Sequence, residues 1–421
     1  MLRHIGKVEQ AVASIREALR IDPAYAEAYS NLCDVFEKRN MFDELEVCVD
    51  EALQAFPEGH PEISFRSAQL LSSQKNLEEA RATLEKILPD ELPANLQLSY
   101  FVLLGKTYEG LGLFDQAFRQ YEAQNAAVRN SSLVQKYDAD LFLESVRELS
   151  QGWKSKTSSI WSETIEAVDT NLAFLIGFPR SGTTLLDTIL RGHREIVVVE
   201  EQPMVNAMVD KLGHPATLDV VTQMQEAEIV SLRKVYFEEL AKHYDASDHV
   251  KLIVDKLPLN IRDIGLIHRC FPSAKFILAL RHPSDCVLSC FMQNFTLNNA
   301  MANFLTLEQS ATLYAEIMQL WQFYRKTLSL EIGELKYEDL IEDIKGTCLP
   351  LIEFLDLEWD DKLLDYQKTA QARGAINTPS YAQVIQPLYK QSHGRWEKYI
   401  EHMQLVQPLL QPWIKEFGYS S

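Results

Sequence analysis

One six-residue pattern recurs four times in the first third of the chain: Gly6-Lys-Val-Glu-Gln-Ala11, Asn40-Met-Phe-Asp-Glu-Leu45, Lys75-Asn-Leu-Glu-Glu-Ala80 and Gly112-Leu-Phe-Asp-Gln-Ala117, at intervals of 34, 35 and 37 residues. The first two units agree further, since Glu17-Ala-Leu19 returns as Glu51-Ala-Leu53 and Pro23 returns as Pro57; Pro89 ends the corresponding helix of the third. In each copy a turn residue starts a helix and a small or apolar residue follows five positions later. A helix pair of this length cannot bury its own apolar face, so neighbouring pairs must stack into a solenoid. Met1 falls where a preceding helix would be finishing, so the array begins in mid-repeat, as a truncated start would.

The pattern resembles tetratricopeptide repeats in a degenerate form, most Trp and Tyr signature positions being absent. That resemblance implies a protein or peptide partner on the array; a generic helical bundle is the alternative. At 421 residues the chain is too long for one ordinary core. Helical spacing continues through Leu133, Val134, Tyr137, Leu141, Phe142, Val146 and Leu149, and Gln151-Gly-Trp-Lys-Ser-Lys-Thr-Ser-Ser159 breaks it. The expected organisation is a helical repeat array over 1–130, a helical linker over 131–170 and a second domain over 171–421.

A content of 46% hydrophobic and 24% charged residues is ordinary for a globular protein and argues against disorder. The 41 Lys and Arg against 60 Asp and Glu leave a net charge of −19. Nucleic acid and anionic membrane are therefore not the expected partners, and any anionic ligand must be held by a local cluster of donors. The six cysteines contain no CxxC pair, which suits a reducing compartment and gives no metal site. No apolar run reaches the ~20 residues of a membrane span, and the N-terminus lacks a signal-peptide core; a cytoplasmic location is expected.

Beyond residue 170 the texture changes. Ala173-Phe-Leu-Ile176, Lys251-Leu-Ile-Val254 and Lys275-Phe-Ile-Leu-Ala-Leu280 are short continuous apolar runs, each followed by a helical stretch. Buried parallel strands between crossover helices have this pattern, so the second domain is predicted to be α/β. The first run leads into Gly177-Phe-Pro-Arg-Ser-Gly-Thr-Thr184 and then the helix Leu185-Leu-Asp-Thr-Ile-Leu190. Strand, tight loop and helix N-terminus together make an anion cradle, with backbone N–H groups turned inward and the helix dipole favouring negative charge. Gly182 permits close approach, and Ser181, Thr183 and Thr184 add hydroxyls. A Walker A loop carries lysine where this chain has Thr183, and here the cation sits earlier, at Arg180.

At these residues the chain resembles the 5′-phosphosulfate loop of sulfotransferases that use 3′-phosphoadenosine-5′-phosphosulfate (PAPS), P-loop relatives that work without metal. The resemblance covers roughly residues 171–417. Repeats followed by such a domain are similar to a bacterial family with tetratricopeptide repeats, and the domain itself is similar to that of tyrosylprotein sulfotransferases. It implies a three-layer fold with a parallel sheet and a cofactor site made of Arg180, Ser181, Gly182, Thr183 and Thr184. Arg281, after the third apolar run, and Ser289 eight residues later match the family's 3′-phosphate motif; Tyr337 matches a position near the nucleotide. Thr378 to Trp396 resembles a late nucleotide-covering loop, which gives Arg395 a charge for the 3′-phosphate, Trp396 a packing role and Ser380 a weaker place in the site.

Sulfuryl transfer, like phosphoryl transfer, passes in line through a loose transition state. The protein has to place the acceptor, take its proton and stabilise the leaving phosphate, with adenosine-3′,5′-bisphosphate as product. In family members that modify protein tyrosines or sugars a glutamate at this distance from the loop is the general base, and counting from Arg180 favours Glu201 over Glu200. Because side chains alternate along a strand, one glutamate of the pair is expected to face the cleft. The resemblance places Lys256, in Asp255-Lys-Leu-Pro258, beside the bridging oxygen, with Arg180 as a further catalytic cation. His268 and His282 are expected to be structural. Phe295 through Trp321 reads as a helical cap over the cleft, suited to an acceptor channel or to core packing. Two alternatives stand beside this reading: a Mg-dependent P-loop kinase with Asp255 on the metal, and a non-catalytic repeat scaffold. Tyrosyl peptide, glycan and small hydroxylated metabolite all remain as acceptors.

Overall fold

The computed structural model describes residues 8–39, 41–132, 134–154, 171–244, 250–372 and 393–420. They fall into two compact units, divided at Ser131 and Ser132. Among the described residues no helix is long and apolar enough to cross a membrane.

The first unit is helical throughout. Its helices Val8–Ile21, Phe42–Ala55, Leu77–Leu84 and Phe114–Arg129 start at the spacing of the sequence pattern, and Ala26–Lys38, Pro61–Ser73 and Ala94–Gly110 lie between them. The residue five positions into each copy (Ala11, Leu45, Ala80, Ala117) is buried. Small side chains there let adjacent helices approach, and Leu19, Leu32, Phe36, Val49 and Ile63 fill the core of the first two pairs. Pro23 and Pro57 follow the ends of their helices, where a missing N–H and fixed φ stop the helical ladder.

The second unit begins with a helix, Ala139–Lys154, rather than with the α/β domain proper. Trp153 is fully buried against Tyr324, with ring centroids 4.8 Å apart. A Cβ on Gly265 would come within 2.6 Å of its indole, so only glycine admits the ring. Arg147 pairs with Glu316 at 2.8 Å, and Asn303 donates to the Ala139 carbonyl. This helix is packed as part of the second unit.

The sheet has five parallel strands: β1 (Leu172–Gly177), β2 (Ile196–Glu200), β3 (Leu252–Lys256), β4 (Lys275–Leu280) and β5 (Glu331–Lys336), in the order β2-β3-β1-β4-β5. β1 is central and buried along its whole length, as a strand covered on both faces must be. Ala173, Leu175, Val254 and Ile277 pack with Leu186 and Ile189 on one face. On the other, Phe174 meets Tyr236, Phe271 and Phe276 at centroid distances of 6.0, 6.3 and 5.8 Å. Helices on both faces of a parallel sheet give the three-layer architecture expected.

Candidate active site

Parallel strands end on one edge, and the order of this sheet sets site residues side by side there. From β2 to β5 the strand ends lead to Glu200 and Glu201, Lys256, the Phe178–Gly182 loop, Arg281 and Tyr337. Four strand spacings of ~4.8 Å spread them over roughly 19 Å.

In the loop, Arg180 has φ 71° and Gly182 φ 95°. A left-handed arginine is uncommon and strained, a condition that clusters at ligand sites. The turn aims the loop into the N-terminus of the helix Thr183–Leu190, where the Leu185 and Leu186 amides bond to the Gly182 carbonyl and those of Thr183 and Thr184 have no acceptor within the helix. A Cβ at Gly182 would come 2.5 Å from Tyr337 Cδ2, so the ring closes one wall of the cradle. The Ser181 hydroxyl is buried with no hydrogen-bond partner among the described residues. A buried orphan hydroxyl inside a loop of this shape fits an anion as its missing partner.

Arg180 Nε donates to Ser289 Oγ at 3.0 Å, joining the first motif to the second. Arg281 donates to the Arg180 carbonyl at 3.2 Å and lies over the Tyr337 ring at 4.9 Å. Burial, together with the charges of Arg281 and Arg395, pulls the Arg180 pKa down to about 10. Arg180 stays protonated at neutral pH, and the charges of Arg281 and Arg395 both bear on it. In a chain of net charge −19 this cluster is the local reversal of sign that an anionic ligand requires.

At the other end Lys256 is fully buried, and its Nζ donates to Glu200 Oε1 at 2.9 Å and to Glu201 Oε1 at 2.8 Å. Glu200 and Lys256 are register partners of β2 and β3 and leave the same sheet face. Alternation would send Glu201 the other way. The strand ends at Glu200, however, and Glu201 takes φ 51°, which turns its carboxylate back onto the same ammonium. Both glutamates therefore share one lysine, contrary to the expectation that only one would face the cleft.

Asp255 points to the opposite face. Tyr236 Oη donates to its Oδ2 at 3.0 Å and Asn260 Nδ2 to its Oδ1 at 3.3 Å. Burial pushes its pKa up to about 7, although both hydrogen bonds favour the charged form. It is a buried structural carboxylate next to aromatic rings, turned away from the loop.

Sequence reasoning missed Asp285. This buried carboxylate accepts from the Trp396 amide at 2.9 Å and the Gly394 amide at 3.0 Å, and lies 3.7 Å from Arg281. Its position four residues after Arg281 was the available signal, since the helix that starts at Pro283 turns Asp285 back toward the strand end that carries Arg281. His282 caps the helix Pro283–Phe291 through Nδ1 and stacks on Trp396 at 5.0 Å and 9°. His268 is buried, with its pKa lowered to about 4 by that burial. Phe304 packs on Phe178 at 5.7 Å, and Trp321 is fully buried, so these members of the expected cap are core. Ser380 lies outside the described residues.

Fold and site thus define a three-layer parallel α/β protein with a cation-lined loop at the carboxyl edge of its sheet. Residues 173–361 match the family model described as the Sulfotransferase family, which supports a sulfotransferase domain over that stretch. An uncharacterized protein of Aquifex aeolicus (strain VF5) is 26% identical over 431 residues, covering 93% of this chain; the chain spans 56% of that protein's length. Protein-tyrosine sulfotransferase 1 of Danio rerio is 24% identical over 270 residues, 60% of this chain and 73% of that one. The sulfotransferase domain of the Synechococcus PCC 7002 olefin synthase aligns at a TM-score of 0.44 and 19% identity, over 62% of this chain and 99% of that one.

Proposed function

We propose that this chain transfers a sulfuryl group from PAPS to a hydroxylated acceptor, with Glu201 as general base and Lys256 and Arg180 stabilising the leaving phosphate. The observation that carries this is the order of groups along the carboxyl edge of the sheet. Carboxylates stand at the β2 end, Lys256 is next, the cradle is central and the second arginine with its tyrosine lies beyond. A donor bound with its 3′-phosphate toward Arg281 and Arg395 and its phosphosulfate in the Phe178–Gly182 loop would present sulfur toward Lys256 and the glutamates.

In this reading the acceptor oxygen forms the new O–S bond as the bond from sulfur to the bridging oxygen breaks. The acceptor proton passes to Glu201. Negative charge grows on the bridging oxygen, where the Lys256 ammonium and the loop amides lower its energy. The two carboxylates give the buried Lys256 Nζ partners at 2.9 and 2.8 Å. Residues 155–170 and 373–392 lie outside the described residues, and the acceptor class stays with the sequence-level set of tyrosyl peptide, glycan or small hydroxylated metabolite. We place a protein or peptide partner on the helical first unit by its resemblance to tetratricopeptide repeats.

The test is ligand-dependent thermal stability. Adenosine-3′,5′-bisphosphate at a hundredfold excess over its dissociation constant should stabilise the protein by ~2.7 kcal/mol, equally with and without a chelator. Stabilisation that appears only with ATP and Mg²⁺ would replace this reading with a kinase.

A further inference from the structure

We propose that Asp285 is the positioning residue that brings Arg395 into the donor site, its carboxylate acting as an internal anion for the turn Gly394–Trp396. The proposal rests on the donor-site reading above. Asp285 sits one helical turn beyond Arg281 and is 1% exposed. Its Oδ2 accepts from the Gly394 amide at 3.0 Å and its Oδ1 from the Trp396 amide at 2.9 Å, so each oxygen holds one end of the three-residue turn. Gly394 has φ 66°, the left-handed conformation that lets neighbouring amides converge on an anion. On the far side of the turn the Trp396 indole lies flat on His282.

Arg395 lies between the two tethered amides, so its backbone is held in place. Like-charge repulsion opposes this placement, since the Arg395 charge bears on Arg180. Asp285 counters this with a buried negative charge 3.7 Å from Arg281. The same carboxylate therefore balances the first 3′-site arginine and fastens the segment that carries the second. Recognition of the 3′-phosphate, in these terms, depends on a residue that does not touch it.

Asp285→Asn keeps the size of the side chain but offers one acceptor oxygen, and its NH₂ opposes the other amide. Binding of adenosine-3′,5′-bisphosphate should weaken about 10- to 100-fold, the loss of roughly one to two hydrogen bonds at a charged group. The donor KM should rise while kcat at saturating donor stays within about threefold, a split that general loss of structure would not produce. Arg395→Ala should weaken the same ligand, and the double variant should bind no more than about threefold worse than Asp285→Asn alone. Independent, multiplying effects, or wild-type affinity in Asp285→Asn, would overturn the proposal and leave the donor-site reading intact. Failure of the wild-type protein to bind adenosine-3′,5′-bisphosphate would instead overturn that reading. Should Asp285→Asn not fold, Gly394→Ala carries the same test, because alanine at φ 66° displaces the turn and leaves Asp285 in place.

Discussion

Glu201 and Lys256 are joined twice: the Glu201 amide donates to the Lys256 carbonyl at 2.7 Å, and the Lys256 ammonium donates to the Glu201 carboxylate at 2.8 Å. Backbone and side chain together fix the glutamate where the strand has already ended. That double attachment explains how a left-handed glutamate is held at an exposed rim, and it gives the first prediction its geometry.

Glu201→Gln should bind adenosine-3′,5′-bisphosphate normally and lose about 10²–10⁴ in turnover, the usual contribution of a general base. Lys256→Ala should lower turnover and also weaken nucleotide binding, because its charge faces the leaving phosphate in ground and transition states alike. Glu200→Gln leaves Lys256 one carboxylate and should cost less than about tenfold. Steady-state kinetics with labelled PAPS decide this; an active Glu201→Gln alongside an inactive Glu200→Gln would transfer the role to Glu200.

Arg281→Ala removes a charge-assisted contact and should weaken adenosine-3′,5′-bisphosphate by about 1.5–3 kcal/mol. Adenosine-5′-monophosphate, which lacks the 3′-phosphate, should lose far less. Calorimetric titration of both nucleotides gives the answer, and unchanged discrimination would remove Arg281 from the 3′-site.

Gly182→Ala places a Cβ 2.5 Å from Tyr337 in a backbone conformation that alanine resists. Stability should fall by about 1–3 kcal/mol and nucleotide affinity with it. Adding Tyr337→Ala should relieve the clash but not the backbone strain, so denaturant unfolding should show partial recovery. Full recovery would mean that φ 95° carries no cost here.

Asp255 makes stability depend on pH. Its folded pKa of about 7 lies above the unfolded value near 3.9. The stabilising share of the protonated carboxyl is complete below pH ~4 and is lost as pH rises through about 7, at no more than about 1.4 kcal/mol per pH unit. Asp255→Asn should remove this slope, so the difference in melting temperature between wild type and variant should change sign or narrow from pH 5 to pH 8. Activity should survive, because the carboxylate faces Tyr236 and Asn260; its loss would point instead to a metal-binding role.

The parts of the site written in contiguous sequence were legible before the fold was known. Strand, loop and helix from Ala173 to Leu190 announce the cradle by themselves, and Arg281 and Ser289 follow a strand by fixed spacing. What escaped depends on contacts between distant segments. Asp285 reveals its role only when Gly394 and Trp396 are beside it. The helix Ala139–Lys154 reads as a linker until Trp153 is seen against Gly265 and Tyr324. The left-handed turn at Glu201 carries no residue-type signal, since neither Gly nor Asn marks it.

The placement of β1 at the centre of the sheet has a kinetic consequence. Its register partners, Ile253 for Leu172 and Lys275 for Ala173, are supplied by much later parts of the chain. Such non-local pairing closes long loops before any contact rewards it, which slows folding. A nascent chain that has emerged only as far as the cradle has no β3 or β4 to hold it, no Arg281 and no Arg395. Donor affinity should therefore be absent from N-terminal fragments that stop before β4 and should reach full strength only in a late step, when the turn Gly394–Trp396 docks on Asp285, making nucleotide affinity a reporter of completed folding.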